Sequence, residues 1–135
     1  MTETVFDKIL SKDIPAHIVY EDEHTLAFLD IAPVADGHTL VIHKADRSAE
    51  LSAMSTEAAA QLMQSTQKVI KQLKEKLGAD GVNVLLAQGT SAGQEVMHAH
   101  VHLIPRYEND GLQIHCVGAQ QASQEQLINV ANKLS

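Results

Sequence analysis

Residues 93–106 read GQEVMHAHVHLIPR, with histidines at 98, 100 and 102 separated by single small or apolar residues. Side chains alternate across a β-strand, so the pattern predicts a strand with His98, His100 and His102 on one face and Ala99, Val101 and Leu103 on the other. A row of imidazoles is thereby backed by a row that belongs in a core.

Working outward, GVNVLLAQ (81–88) and VMHAHVHLIP (96–105) are strand-like and joined by the glycine-containing GTSAG (89–93), which predicts a hairpin. AHIVYE (16–21) and TLAFLD (25–30) flank the acidic turn DEH, and HTLVIH (38–43) follows the turn-forming APVADG. No helix-length segment separates these first strands, which argues for antiparallel pairing and against a doubly wound parallel sheet. Three helices complete the pattern. Thr4 is placed to cap VFDKILSK (5–12), with Val5, Phe6, Ile9 and Leu10 as its apolar side and an end before Pro15. The long one spans Thr56 to Leu77, between the cap Ser55 and the stop Gly78, and aligns Leu62, Thr66, Val69, Ile70, Leu73 and Leu77. That stripe serves either core packing or a shared face in a homodimer. Ser123 and Gln126 form a capping-box pair for a C-terminal helix through Leu127, Val130 and Leu134.

The chain has 135 residues, 44% hydrophobic and 20% charged, which predicts one domain over 1–135 and excludes disordered and fibrous classes. A net charge of −7 disfavours nucleic acid and anionic membrane as partners, since no basic face exists to release counterions. The start, MTETVFDKILSK, resembles neither a signal peptide nor a membrane span, so a cytoplasmic location is expected. The lone Cys116 permits no intrachain disulfide and no cysteine-based zinc site, and is read as a bystander thiol.

Three chemistries compete for the histidines. They could be a solvated face, but strict alternation with apolar residues argues against coincidence. A metal would need outside help, for instance from His38, because alternate residues on one strand lie about 6.5–7 Å apart and the outer two about 13 Å. A nucleophilic imidazole suits the pattern better: unperturbed histidine has a pKa of about 6.5, its neutral form attacks phosphorus near pH 7, and flanking imidazoles and loop amides can hold the phosphoryl oxygens.

HAHVHLI (98–104) resembles the motif of the histidine triad (HIT) family, and residues 4–44 resemble the N-terminal half of its Hint branch, the nucleoside phosphoramidate hydrolases; about residues 4–107 are covered. The resemblance implies an α+β fold, a five-stranded antiparallel sheet with one long and two short helices, the sheet continued across a homodimer. It implies that His100 attacks the α-phosphorus of a purine nucleotide or nucleoside phosphoramidate to form a nucleotidyl-histidine that water then hydrolyses, without a cofactor. His102 would contact phosphate, and His98 and His38 would support the nucleophile. Asp30 would accept from the ribose hydroxyls, Phe6, Ile9, Ile31 and Leu40 would enclose the base, and Gly93, Gln94 and Glu95 would line the phosphate and leaving-group side. Dinucleoside polyphosphate hydrolysis, nucleotidyl transfer, or a nucleotide-binding or partner-binding module with weak turnover are the alternatives.

The chain departs from the family pattern at three places. Ala87, followed by Gln88, stands where the Hint branch has an asparagine, and Glu95 stands where it has serine. A carboxyl at 95 could protonate a departing amine if a dry site kept it neutral. The cysteines that some bacterial relatives use for zinc are replaced within TVFDKIL (4–10), so no structural metal is expected.

Overall fold

The computed structural model describes residues 2–114 and 119–135, so Cys116 lies outside the described residues. The elements run α1 (Val5–Leu10), β1 (Ile18–Glu21), β2 (Thr25–Leu29), β3 (Thr39–His43), α2 (Thr56–Leu77), β4 (Gly81–Leu85), β5 (His100–Arg106) and α3 (Gln124–Leu134). The five strands form one antiparallel sheet, as the family resemblance implies, in the order β1-β2-β3-β5-β4. No described helix is long and apolar enough to cross a membrane.

Alternation along the central strands divides the core in two. Ala27, Val41, Val101 and Leu103 face α2, where they meet Leu62, Val69 and Leu73. Leu26, Phe28, Leu40 and Ile42 face the other way and pack with Phe6 of α1. With both faces covered, every residue of β3 is buried, which is why TLVI is continuously apolar or small rather than alternating with charge.

α2 has the expected bounds, with the Ser55 side chain accepting from the Ala58 amide and Gly78 in the left-handed conformation at its end. Its stripe differs in detail. Ala58, Leu62, Ser65, Thr66, Val69 and Leu73 are buried, whereas Leu77 is 50% exposed. That face packs on the sheet of its own chain, so it is a core face and carries no argument for a dimer. Ser65 is accepted there because its hydroxyl meets Thr25 Oγ1 at 2.5 Å and donates to Asp22 Oδ2 at 3.1 Å. α1 stops at Leu10, two residues short of the predicted end, and Lys12 turns out at φ 68°. α3 has its capping box but no buried residue.

β5 begins at His100, so the expected strand over 96–105 is shortened at its start. The Ala99 amide donates to Ser48 O at 2.9 Å, outside the sheet ladder, and the register with β3 opens only at Ile42↔His100. His98 therefore precedes the strand, although its ring packs on the same Phe6 ring of α1 that meets His100. Opposite Leu40 and Ile42 on β3 stand His102 and His100, on the face that α1 covers.

Candidate active site

A cavity of about 540 Å³ opens on that face, within the range of small-molecule sites. Phe6, Ile9, Asp30, Ile31, His38, Leu40, Gly93, Glu95, His100 and His102 line it, so ten of the twelve expected site residues converge; Val5, Ile14, Phe28 and Val34 add apolar wall. Those four carry no chemical signature, and strand and helix periodicity reads them only as core or turn.

The hydrogen-bond partners assign a tautomer to each imidazole. His100 Nδ1 lies 2.8 Å from the His98 carbonyl, which can only accept, so Nδ1 carries the hydrogen and Nε2 is a bare lone pair. The Val34 amide donates to His38 Nδ1 at 3.3 Å, leaving the hydrogen on His38 Nε2, 3.0 Å from His102 Nδ1. His102 accepts there and keeps its hydrogen on Nε2. Behind them His98 Nε2 donates to His43 O at 3.0 Å. One nucleophilic nitrogen and one N–H donor thus sit on adjacent same-face positions of β5, with ring centroids 4.8 Å apart.

Burial lowers all four pKa values. Desolvation is the leading cause for His38, His98, His100 and His102, and for His102 the neighbouring His100 and His38 push further, down to about 4. At neutral pH the imidazoles are therefore uncharged, the form that nucleophilic attack requires. Asp30 opposes the trend in His38, His100 and His102. One of its oxygens accepts from the Ala32 amide at 2.9 Å and the other lies 3.6 Å from His38 Nε2.

Two expected site residues are not on the cavity wall. His98 is 1% exposed and lies behind His100. The Gln94 side chain is engaged with backbone: Oε1 accepts from Gly89 N at 2.8 Å, and Nε2 donates to Ala49 O at 2.6 Å and Val96 O at 3.0 Å. It braces the loop that presents Gly93, whose φ of 97° suits glycine and whose lack of a side chain keeps the backbone open to the cavity. Gln88 does not replace the missing asparagine, since its Oε1 accepts from Ser52 N at 3.1 Å.

Glu95 lines the cavity but its side chain stands in water. A proton donor to a departing amine has to be kept neutral by a dry site, a role worth about 10²–10⁴-fold. Glu95→Gln is accordingly expected to change rates by less than about threefold, equally for substrates with amine and with phosphate leaving groups, because exposure denies it that role. Steady-state rates on both substrate types decide; a loss confined to amines would restore the acid role.

A family model described as HIT domain matches residues 11–109. The adenosine 5'-monophosphoramidase hnt1 of Schizosaccharomyces pombe is 40% identical over 102 residues, which cover 76% of this chain and 73% of that protein. A solved Streptococcus mutans structure superposes with a TM-score of 0.91 at 39% identity, covering 99% of this chain and 84% of the other. A zinc-bound histidine triad family protein from Mycobacterium smegmatis has a TM-score of 0.77 at 38% identity, covering 85% and 83%.

Zinc in that neighbour prompts a comparison of donor sets. Asp30, His38 and His102 bring three ligand atoms within 4.8 Å of one another. A metal on His38 Nε2 would force the ring hydrogen onto Nδ1, where it would face the Val34 N–H, donor against donor. In the N-terminal segment, Asp7 stands within the stretch that replaces the cysteines, with one oxygen on Thr4 N and the other on the cationic Arg47. Neither set fits zinc.

Proposed function

The chain belongs to the histidine triad (HIT) family, and from that premise we propose that it hydrolyses purine nucleoside phosphoramidates through a nucleotidyl-histidine on His100. One observation carries the reading: the His98 carbonyl holds the hydrogen of His100 on Nδ1, so Nε2 meets the cavity as a lone pair. The S. pombe relative's name, an adenosine monophosphoramidase, supports the substrate class.

In this mechanism His100 Nε2 forms a bond to the α-phosphorus as the bond from phosphorus to the leaving nitrogen breaks, the nitrogen taking a proton from bulk water so that it departs as the neutral amine. Positive charge develops on the His100 ring, and the His98 carbonyl, already accepting from Nδ1, stabilises it. His102 Nε2–H donates to a phosphoryl oxygen, and its orientation is set by the hydrogen bond from His38. Water then attacks the same phosphorus, the bond to His100 Nε2 breaks, and the water's proton passes to solvent, releasing the nucleoside monophosphate and restoring neutral His100. The free oxygen of Asp30 accepts from a ribose hydroxyl, while Phe6, Ile9, Ile31 and Leu40 enclose the base. Ile31, 95% exposed in this structure, has apolar surface to lose on binding.

A panel of adenosine and guanosine phosphoramidates beside dinucleoside polyphosphates, run with chelator, tests the substrate class. The phosphoramidates should show the higher kcat/KM; dominant polyphosphate cleavage would shift the assignment, and no turnover of either would leave a binding module.

The proposal includes a homodimer. β4 is an edge strand with Val84 and Leu85 exposed, and α3 displays Leu127, Ile128, Val130 and Leu134 to solvent. An 11-residue helix is marginal without packing, and an open edge is a template for another strand. Light scattering at micromolar concentration should give twice the chain mass; a monomer mass would refute the assembly.

A further inference from the structure

We propose that the Asp7–Arg47 ion pair is a positioning clamp, fastening α1 to the end of β3 and keeping Phe6 against His98 and His100, where the family resemblance places zinc-binding cysteines in some bacterial relatives. The proposal rests on the nucleotide-binding reading of the cavity that α1 borders.

α1 is six residues long and fully buries only Phe6, with Ile9 and Leu10 partly buried beside it, so its own hydrogen bonds do not fix its orientation. Yet it supplies Val5, Phe6 and Ile9 to the cavity wall. The Phe6 ring meets His98 and His100 edge-on, with centroids 5.6 and 5.0 Å apart; a shift of α1 moves the base wall, while the His98 carbonyl still holds the nucleophile by its Nδ1. Asp7 joins the two ends of the clamp. One carboxylate oxygen accepts from Thr4 N at 2.8 Å and closes the helix cap, while the other takes Arg47 Nη1 at 2.9 Å. Arg47 is fixed in turn by its Nε, which donates to Lys44 O at 2.8 Å, one residue beyond the His43 carbonyl that receives His98 Nε2–H.

His98 Nδ1 is buried without a hydrogen-bond partner, and the charges of Asp7 and Arg47 act on this ring in opposite senses. A zinc clip would give such a nitrogen a bond. Here a guanidinium, which repels metal cations, neutralises the carboxylate instead. An ion pair of this exposure contributes little to global stability, so its loss should appear in ligand binding rather than in melting.

The test is a double-mutant cycle read in KM and kcat with an adenosine phosphoramidate. Arg47→Ala and Asp7→Asn, the latter retaining a cap acceptor, are each expected to raise KM about 3- to 10-fold with kcat within about twofold. The double variant should be no worse than the weaker single, and Arg47→Lys should restore most of the affinity. Multiplying effects, or an unchanged KM in Arg47→Ala, would overturn the clamp. So would zinc bound at one ion per purified chain whose chelation raises KM as Arg47→Ala does. If the phosphoramidates are not turned over, Kd for AMP replaces KM in the same cycle, which separates failure of the clamp from failure of the reaction. If the variants do not fold, hydrogen exchange of residues 5–10 in the wild-type protein is compared at about 0.05 and 0.5 M salt. Selective acceleration at high salt supports the clamp, and unchanged exchange overturns it.

Discussion

His100→Ala is expected to abolish turnover, leaving less than about 1% of the wild-type kcat, while AMP still binds within a few-fold of its original affinity. The asymmetry follows from where atoms sit. Among the triad histidines, His100 offers the cavity a free lone pair on Nε2, since His102 Nδ1 already accepts from His38 and the unpartnered Nδ1 of His98 is buried in a residue that does not reach the cavity wall. No neighbour can take over the bond to phosphorus. The base wall, the Gly93 loop and Asp30 are untouched by the truncation, so binding survives; Phe6 loses an edge contact and the affinity shifts modestly. Quenched wild-type reactions should in addition yield a covalent nucleotide on the peptide containing His100, absent from the variant. Retention of more than a few per cent of kcat would exclude the nucleotidyl-histidine route.

The site was legible from sequence where chemistry and spacing coincide, and illegible where it depends on contacts from distant segments. Alternation placed His100 and His102 opposite the apolar Val101 and Leu103, and the sheet confirms that division. It extends the strand too far at its start, because the Ala99 amide is drawn to Ser48 O, a partner 51 positions earlier with no local signal. The resemblance makes Gln94 a ligand contact, yet two carbonyls and an amide of the surrounding loops engage its side chain. The tautomers that distinguish nucleophile from donor come from backbone groups at Val34 and His98, which side-chain identity does not reveal. Periodicity placed α2 to the residue, but Leu77 falls beyond the edge of the sheet, and Ser65 is buried because the Asp22 and Thr25 side chains receive it.

Acidification is expected to destabilise the fold well before its carboxylates protonate. His38, His98, His100 and His102 are all held uncharged by burial, with pKa values below the 6.5 of an exposed histidine. The unfolded chain takes up these protons first as pH falls, so it binds more protons than the folded chain below about 6.5, and stability must decrease with falling pH there. His102 sets the scale: the gap between 6.5 and about 4, at about 1.4 kcal/mol per pH unit, amounts to about 3 kcal/mol for this one group. A domain of ordinary stability holds about 5–15 kcal/mol, so this is a substantial share of it. Tm should be level from pH 8 to 7 and then drop by about 10 °C between pH 6.5 and 4.5. His102→Gln, which removes the group pushed down to about 4, should show a shallower fall over the same window. An identical slope in the variant would mean that His102 takes up protons in the folded protein as freely as in water, and a flat wild-type Tm across the window would mean that all the imidazoles do. The uncharged, preassembled nucleophile would then be lost along with the stability effect, because both depend on the same burial.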